Sequence, residues 1–300
     1  MSAATLLQIL SSGVVTGGIY ALVALSLLIV FKSTEIVNFG GGDVLMFGAY
    51  VAMLCQDYFG LGYGPTFLVT SCVMFALGAA FETGVLRTVR GALSPSRVLV
   101  SLVITTIGLA YALRGVVRLF SYTDEVRRLP VLVRGPPLFL GPVVLQRQDV
   151  VIVAVTLSLV AALFAFFRYT WLGKALRAAS VNPRAAELID IKVARMRLFS
   201  WGLAFVIAGI GGILIGGKIP ITPDFGTQIA FLAFAAATIG GFQSLPGCIM
   251  GGILLGVIQN MVGFFVSSAS IAVAPFIVIM LVLVFLPQGL LGGGSALKKV

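Results

Sequence analysis

Glu82 is the acid in this chain best placed to move a proton: it lies inside an apolar run, with Arg87 and Arg90 one to two helical turns further on. A carboxylate at membrane depth can couple solute movement to protons. The same spacing reads more simply as an ion-paired helix anchor, because few other acids interrupt the apolar runs to form a relay. Asn38, Phe39 and Asp43 form a second group, around the run Gly40, Gly41, Gly42. They could make a flexible, polar start to a helix that gates a pathway, since polar groups at this depth face protein or water rather than lipid. Asp43 by itself reads most simply as a cap on that helix near the interface. A third group, Gly240, Gly241 and Gln243 with Ser244 and Pro246 in "TIGGFQSLPG", sits where two apolar runs break. It is either a broken helix that lines a pathway or a tight turn between ordinary helices.

Enzymatic chemistry has little to work with. The chain contains no histidine, which removes imidazole metal sites, histidine bases and histidine proton relays. Cys55, Cys72 and Cys248 are scattered through apolar stretches without CxxC spacing and read as small apolar residues. There is no GxxxxGK[ST] phosphate loop, so ATP bound by this chain is not expected. No catalytic residue, metal site or cofactor of its own is expected.

The remaining polar stretch is "GKALRAASVNPRAAELIDIKVARMR", Gly173 to Arg197, a basic loop set between two long apolar runs. Asn182 followed by Pro183 is a good N-cap and first-turn pair for a short helix through Ala185, Ala186, Glu187 and Leu188. Another turn or two of helix fits Lys174 to Ser180. Small residues such as Ala178, Ala179, Ala185 and Ala186 suit a helix held in a partner's groove, with Arg177, Arg184 and Glu187 free for polar contacts. An amphipathic helix resting on anionic lipid would use much the same composition.

The elements that position these groups follow from composition. With 59% hydrophobic and 10% charged residues and a mean hydropathy of +1.12, the sequence describes a polytopic membrane protein. Apolar runs at about 6–31, 37–56, 66–86, 98–119, 149–168, 198–218, 228–243, 247–267 and 271–290 predict an all-α bundle of eight or nine membrane segments. The run at 228–243 is short enough to be a half-helix or a re-entrant segment. The first run, preceded by no basic residue and too long for a signal-peptide core, reads as a retained helix. Residues 1–300 are expected to form one membrane domain, with an outer loop at about 120–148 and a cytoplasmic loop at about 169–197.

If the 169–197 loop is cytoplasmic, thirteen of the twenty basic residues lie on that side. This favours an outer N-terminus and an inner C-terminus, and reads the net charge of +10 as topology rather than nucleic-acid binding. Arg114 and Arg118 fall near an outer helix end, where they could snorkel. The outer loop, rich in Pro and Gly, predicts a compact cap or short hairpin. Four-residue glycine spacings (Gly13/Gly17, Gly212/Gly216, Gly247/Gly251, Gly252/Gly256) predict ordinary close helix packing within the chain more readily than a helix-packed pathway or a dimer seam.

The order of motifs adds a resemblance. "GKALRAASVNPRAAELIDIKVARMRLFSWGLAFVIAGIGGILIG" resembles the ATPase-contacting loop and following helix of permeases in the branched-chain amino-acid family of ABC importers. "GGIYALVALSLLIVFKSTEIVNFGGGDVLMFGAYVA", "AFAAATIGGFQSLPGCIMGGILLGVIQN" and "FLPQGLLG" are similar to further segments of that family, in the same order. Two positions depart from it. Gly40, Gly41 and Gly42 replace the Ala-His-Gly or Ala-Gln-Gly usual after the Asn-Phe pair, so the polar side chain is missing. Asp190 stands where relatives usually have Gly, and is expected to keep the left-handed turn because Asp tolerates it.

The resemblance implies a permease that pairs with a homologous permease or a copy of itself, two cytoplasmic ATPase subunits that bind ATP and Mg, and a periplasmic solute-binding protein. It implies the bacterial inner membrane, and energy coupling through Gly173, Arg177, Ala178, Ala179, Asn182, Pro183, Ala185, Ala186, Glu187 and Ile189. The solute would be a branched-chain amino acid or a related small amide or carboxylate. A stand-alone secondary transporter or channel is the alternative, and a membrane-embedded lipid enzyme a more distant one.

Overall fold

The computed structural model describes residues 3–92, 95–120, 127–133, 135–242, 244–286 and 288–291. Helices dominate: α1 (Ala3–Thr34), α2 (Gly41–Asp57), α3 (Tyr63–Ala80), α4 (Arg87–Ala92), α5 (Pro95–Arg118), α6 (Arg147–Tyr169), α7 (Trp171–Val181), α8 (Pro183–Leu188), α9 (Val193–Gly216), α10 (Phe225–Gly240), α11 (Leu245–Phe265) and α12 (Ala274–Phe285). A π-helical turn, Phe81–Leu86, joins α3 to α4. Between α5 and α6 a two-stranded antiparallel hairpin, β1 (Leu138–Leu140) and β2 (Val143–Leu145), turns at Gly141 with φ +61°.

Each of the nine predicted apolar runs contains a helix. Among the described residues, six helices are long and apolar enough to cross a membrane, and the chain is an all-α polytopic membrane protein. The others, α2 with 17 residues, α10 with 16 and α12 with 12, are shorter than the roughly 20 residues of a full span. The short run at 228–243 holds α10, and residues 35–40 between α1 and α2 are non-helical.

Contacts divide the chain into two compact units: residues 1–28, 131–159 and 231–300, and residues 29–130 and 160–230. In the first, α1 and α11 meet through glycine. A Cβ at Gly17 would overlap the backbone of Gly252 and Ile253, and one at Gly256 the backbone of Gly13 and Gly17. Such spacings let helix backbones approach and gain dispersion contacts where lipid offers no hydrophobic driving force. The predicted intramolecular role of the glycine spacings is therefore observed in this unit. Gln8 pairs with the backbone of Val144 through both its amide atoms, at 2.9 and 2.8 Å, tying α1 to β2.

In the second unit α9 is the centre, packed by α2 and α3. Gly48 meets Gly209, and Gly212 meets the backbone of Leu45. Trp201 and Phe205 are both fully buried; Trp201 meets Phe81 edge-to-face at a ring-centroid distance of 5.5 Å, and Phe205 stacks on it at 6.4 Å. Residues 127–130, which follow α5, close on this unit: Leu129 N–H donates to the Gly216 carbonyl at 3.0 Å, and Ile221 N–H to the Arg127 carbonyl at 2.8 Å.

Candidate functional site

The loop between α6 and α9 is built by its caps. Thr170 is extended, and its hydroxyl accepts from Gly173 N–H at 3.0 Å, which starts α7 directly after α6. A Cβ at Gly173 would collide with the backbone of Phe166 and Phe167, so this position holds the α6–α7 corner closed. At the far end Asn182 does two jobs. Its N–H donates to Ala178, ending α7, and its Oδ1 accepts from Ala185 N–H at 3.0 Å, starting α8 with Pro183 in the first turn. This is the N-cap geometry expected from the sequence.

The end of α8 is equally specific. Asp190 N–H donates to Glu187 and Ile191 N–H donates to Ala186, with Asp190 at φ +61°. That pair of bonds is a Schellman motif, and the accompanying apolar contact is present because Ala186 and Ile191 share a small core. Asp190 keeps the left-handed turn expected of it.

This core decides which loop residues can face a partner. Ala175, Leu176, Ala179 and Ala186 pack with Ile191, Val193 and Met196, and Gly173 is also buried. Ala186 is only 2% exposed. The sequence candidates thus divide in two. Arg177, Asn182, Pro183, Ala185, Glu187 and Ile189 are exposed and Ala178 is half-buried, while Gly173, Ala179 and Ala186 hold the loop together from inside. Val181 at 85% and Leu188 at 88% are apolar side chains standing almost fully in solvent beside them. Neither was among the sequence candidates, although Val181, set between Ser180 and Asn182, was a usable signal. With Ala185 and Ile189 they form the exposed apolar edge of the loop.

The group around the glycine triplet is arranged differently from its sequence reading. Residues 36–40 run beside α5: Ile36 and Leu102 line a common cavity, Phe39 N–H donates to Thr106 Oγ1 at 3.2 Å, and Gly40 abuts the Thr106 carbonyl. Thr106 is halfway along α5, so α2 starts at the middle of that helix. Asn38 is buried and its Oδ1 accepts from Gly40 N–H at 3.0 Å, closing a local turn. Phe39 is exposed.

Asp43 does not cap α2. The capping position belongs to Gly40, without any side-chain bond, and Asp43 in the first turn makes a bidentate pair with Arg114 at 2.5 and 3.0 Å. Its side chain is 2% exposed. Arg114 therefore turns into the protein rather than snorkelling outward, while Arg118, one turn on, pairs with the exposed Asp224. A carboxylate in this setting needs its counter-charge. No proximity in sequence could have announced the pair, because 71 residues separate its members.

Glu82 is the other buried acid among the described residues, and it too is paired. Arg90 reaches Oε2 at 2.5 Å, and Arg197 of α9 lies 3.7 Å from Oε1. The anchor reading of the sequence describes this arrangement. Gly240 and Gly241 form a close-packed hairpin turn: α10 ends at Gly240 against Gly247, Gly241 takes φ +95°, and Ser244 Oγ accepts from Gly247 N–H at 3.1 Å to start α11. Leu290 and Leu291 donate to the carbonyls of Ile239 and Gly240, satisfying the end of α10. Gln243 lies outside the described residues.

These features define an all-α, multi-pass membrane protein with an elaborated loop between two spans and, among the described residues, two buried acids that are both ion-paired. The family model described as "Branched-chain amino acid transport system / permease component" matches residues 9–286, and the chain belongs to that family. It is 30% identical over 299 residues to the high-affinity branched-chain amino acid transport system permease protein LivH of Salmonella typhimurium, covering 95% of both chains. It is 29% identical, over 95% of both chains, to the permease protein BraD of Pseudomonas aeruginosa. Among solved structures, a chain of PsaBC from Streptococcus pneumoniae in complex with Fab matches with a TM-score of 0.50 at 15% identity, covering 93% of this chain and 92% of that one. That likeness concerns the fold.

Proposed function

We propose that this chain is the membrane-spanning permease of an ATP-driven importer for branched-chain amino acids or closely related small amides or carboxylates, in the bacterial inner membrane. The observation that carries the reading is the loop of α7 and α8: capped at both ends, cored by its own small residues, and presenting Val181, Ala185, Leu188 and Ile189 outward. Two cytoplasmic ATPase subunits, which hold ATP and Mg, grip that edge; a periplasmic binding protein delivers solute; and a homologous permease or a second copy completes the pathway.

The rigid α6–α7 corner at Gly173 transmits a push on α8 into α6, while the Ile191–Ala186 contact transmits it into α9. Eight or nine segments of one membrane domain, residues 1–300, cross with the N-terminus outside. The division into two units supports a single domain, since three of its four chain boundaries cut continuous helices. Asn38, Phe39 and Asp43 form the gating segment, and Gly240, Gly241 and Gln243 a turn beside the pathway.

The test is reconstitution of the chain with its ATPases in proteoliposomes. Leucine uptake that requires ATP and binding protein supports the proposal. Uptake by this chain without ATPases would replace it with a secondary transporter.

A further inference from the structure

At the end of α1, on the face where the coupling loop lies, the second unit contains an open cavity of about 390 Å³. The size falls near the low end of the roughly 300–1,000 Å³ of small-molecule sites. Its polar wall holds Lys32, Arg90, Arg197 and Glu35. Counting Glu82, which Arg90 and Arg197 share, three cations face two carboxylates and one positive charge is left over. Arg197 Nε is buried and has no hydrogen-bond partner among the described residues, with Glu82 too far at 3.7 Å. That nitrogen is enclosed by protein; Arg197 borders the cavity with the accessible remainder of its side chain, which is 30% exposed. Glu35 ends α1 at the rim of the cavity: it takes φ +56° and its N–H donates to the Phe31 carbonyl at 2.8 Å, an αL cap. The opposite wall is apolar, formed by Ile36, Val98, Leu99 and Leu102.

An anion acceptor, a nearby carboxylate and an apolar wall together match one class of ligand. We propose that this cavity binds an α-amino acid with an apolar side chain from the cytoplasm, its carboxylate on Arg197 and Arg90, its ammonium on Glu35 and its side chain against Leu99 and Leu102. The identity of the amino acid rests on the substrate reading above. The third side of the cavity is the coupling loop itself, through Ala179, Ser180 and Pro183. A ligand wedged between that loop and residues 32–36 holds them at one separation and resists the loop movement that ATP drives. The site is thus a feedback brake: solute that has accumulated inside slows its own import.

The complete importer in nanodiscs of phosphatidylcholine tests this. Leucine uptake by the same complex in proteoliposomes is measured first. ATP hydrolysis with leucine-loaded binding protein is then followed as free leucine rises to millimolar levels, each variant being normalised to its own rate at low leucine. The expected result is a several-fold fall in hydrolysis for the native chain, with Arg197→Gln and Glu35→Gln needing at least about tenfold more leucine, the equivalent of about 1.4 kcal/mol. Radiolabelled leucine bound to the complex without binding protein should weaken in parallel. Glu35 is exposed, so its variant keeps the test open if Arg197→Gln fails to fold. Uptake without inhibition, or inhibition unaffected by Glu35→Gln, overturns the inference and leaves the importer reading standing. Absence of leucine uptake overturns the substrate reading and the ligand assigned here with it. Inhibition that appears or disappears only with phosphatidylglycerol in the nanodisc would assign the cavity to a lipid headgroup and overturn the proposal.

Discussion

The Asp43–Arg114 pair fixes where α2 begins, and its removal should be felt far more when one charge goes than when both do. Asp43 is 2% exposed and Arg114 18% exposed at the side chain, and the two meet through a pair of hydrogen bonds. Asp43→Asn leaves the guanidinium facing a neutral amide in a largely dry site, and breaking one side of a buried pair costs about 3–5 kcal/mol. The partial exposure of Arg114 places the expected loss near the lower figure. Asp43→Asn combined with Arg114→Gln removes both desolvation penalties and keeps polar groups that can bond each other, so the double variant should recover more than half of the single loss. The assay is thermal unfolding of the purified protein in one detergent, followed by tryptophan fluorescence. Trp201 is fully buried in the same unit and reports its opening. Single variants as stable as the native chain, or a double variant with the summed loss of both singles, would refute the argument that the pair is desolvated and coupled.

Three further outcomes follow from local geometry. Asn182→Ala should cost about 0.5–2 kcal/mol in loop stability by removing the cap on Ala185 N–H, and should raise amide exchange across 183–188 while leaving α9 protected. Asp190→Gly should stabilise the loop modestly, by under about 1 kcal/mol, since it relieves a left-handed conformation without losing the Schellman bonds; a slower exchange of Ile191 N–H checks it. Gly17→Val should lower folded yield strongly, because the added carbons meet backbone rather than a movable side chain, whereas Gly108→Ala, with open space around it, should be neutral or slightly stabilising in the same expression and melting assays.

Much of this was legible in the sequence where the determinants are local. Nine apolar runs each became a helix, and the Asn182–Pro183 start and the Asp190 stop of α8 came from chemistry confined to a few residues. The Glu82 anchor was readable because Arg90 is eight residues away. What escaped depended on neighbours distant in sequence. Arg114 looked like a snorkelling residue because nothing near it indicates Asp43, and Asp43 looked like a cap because a first-turn acid usually serves there. The difference between exposed Ala185 and buried Ala186 was invisible because alanine suits both settings, and only the packing of Ile191 and Met196 assigns them. The length of α12, 12 residues within the apolar run at 271–290, likewise follows from where its turns close, which composition does not specify.

The central claim is that the exposed edge of α7 and α8 is what the ATPases hold. A photo-crosslinking residue placed at Leu188 or Val181 in the assembled importer tests this most directly, because both side chains project into solvent without disturbing the loop core. The account predicts adducts to an ATPase subunit at both positions, lost when Ala185→Glu is added, and none from the same probe at exposed Phe139 in the outer hairpin. Adducts only to lipid at Leu188 and Val181, with ATP-driven uptake intact, would contradict it.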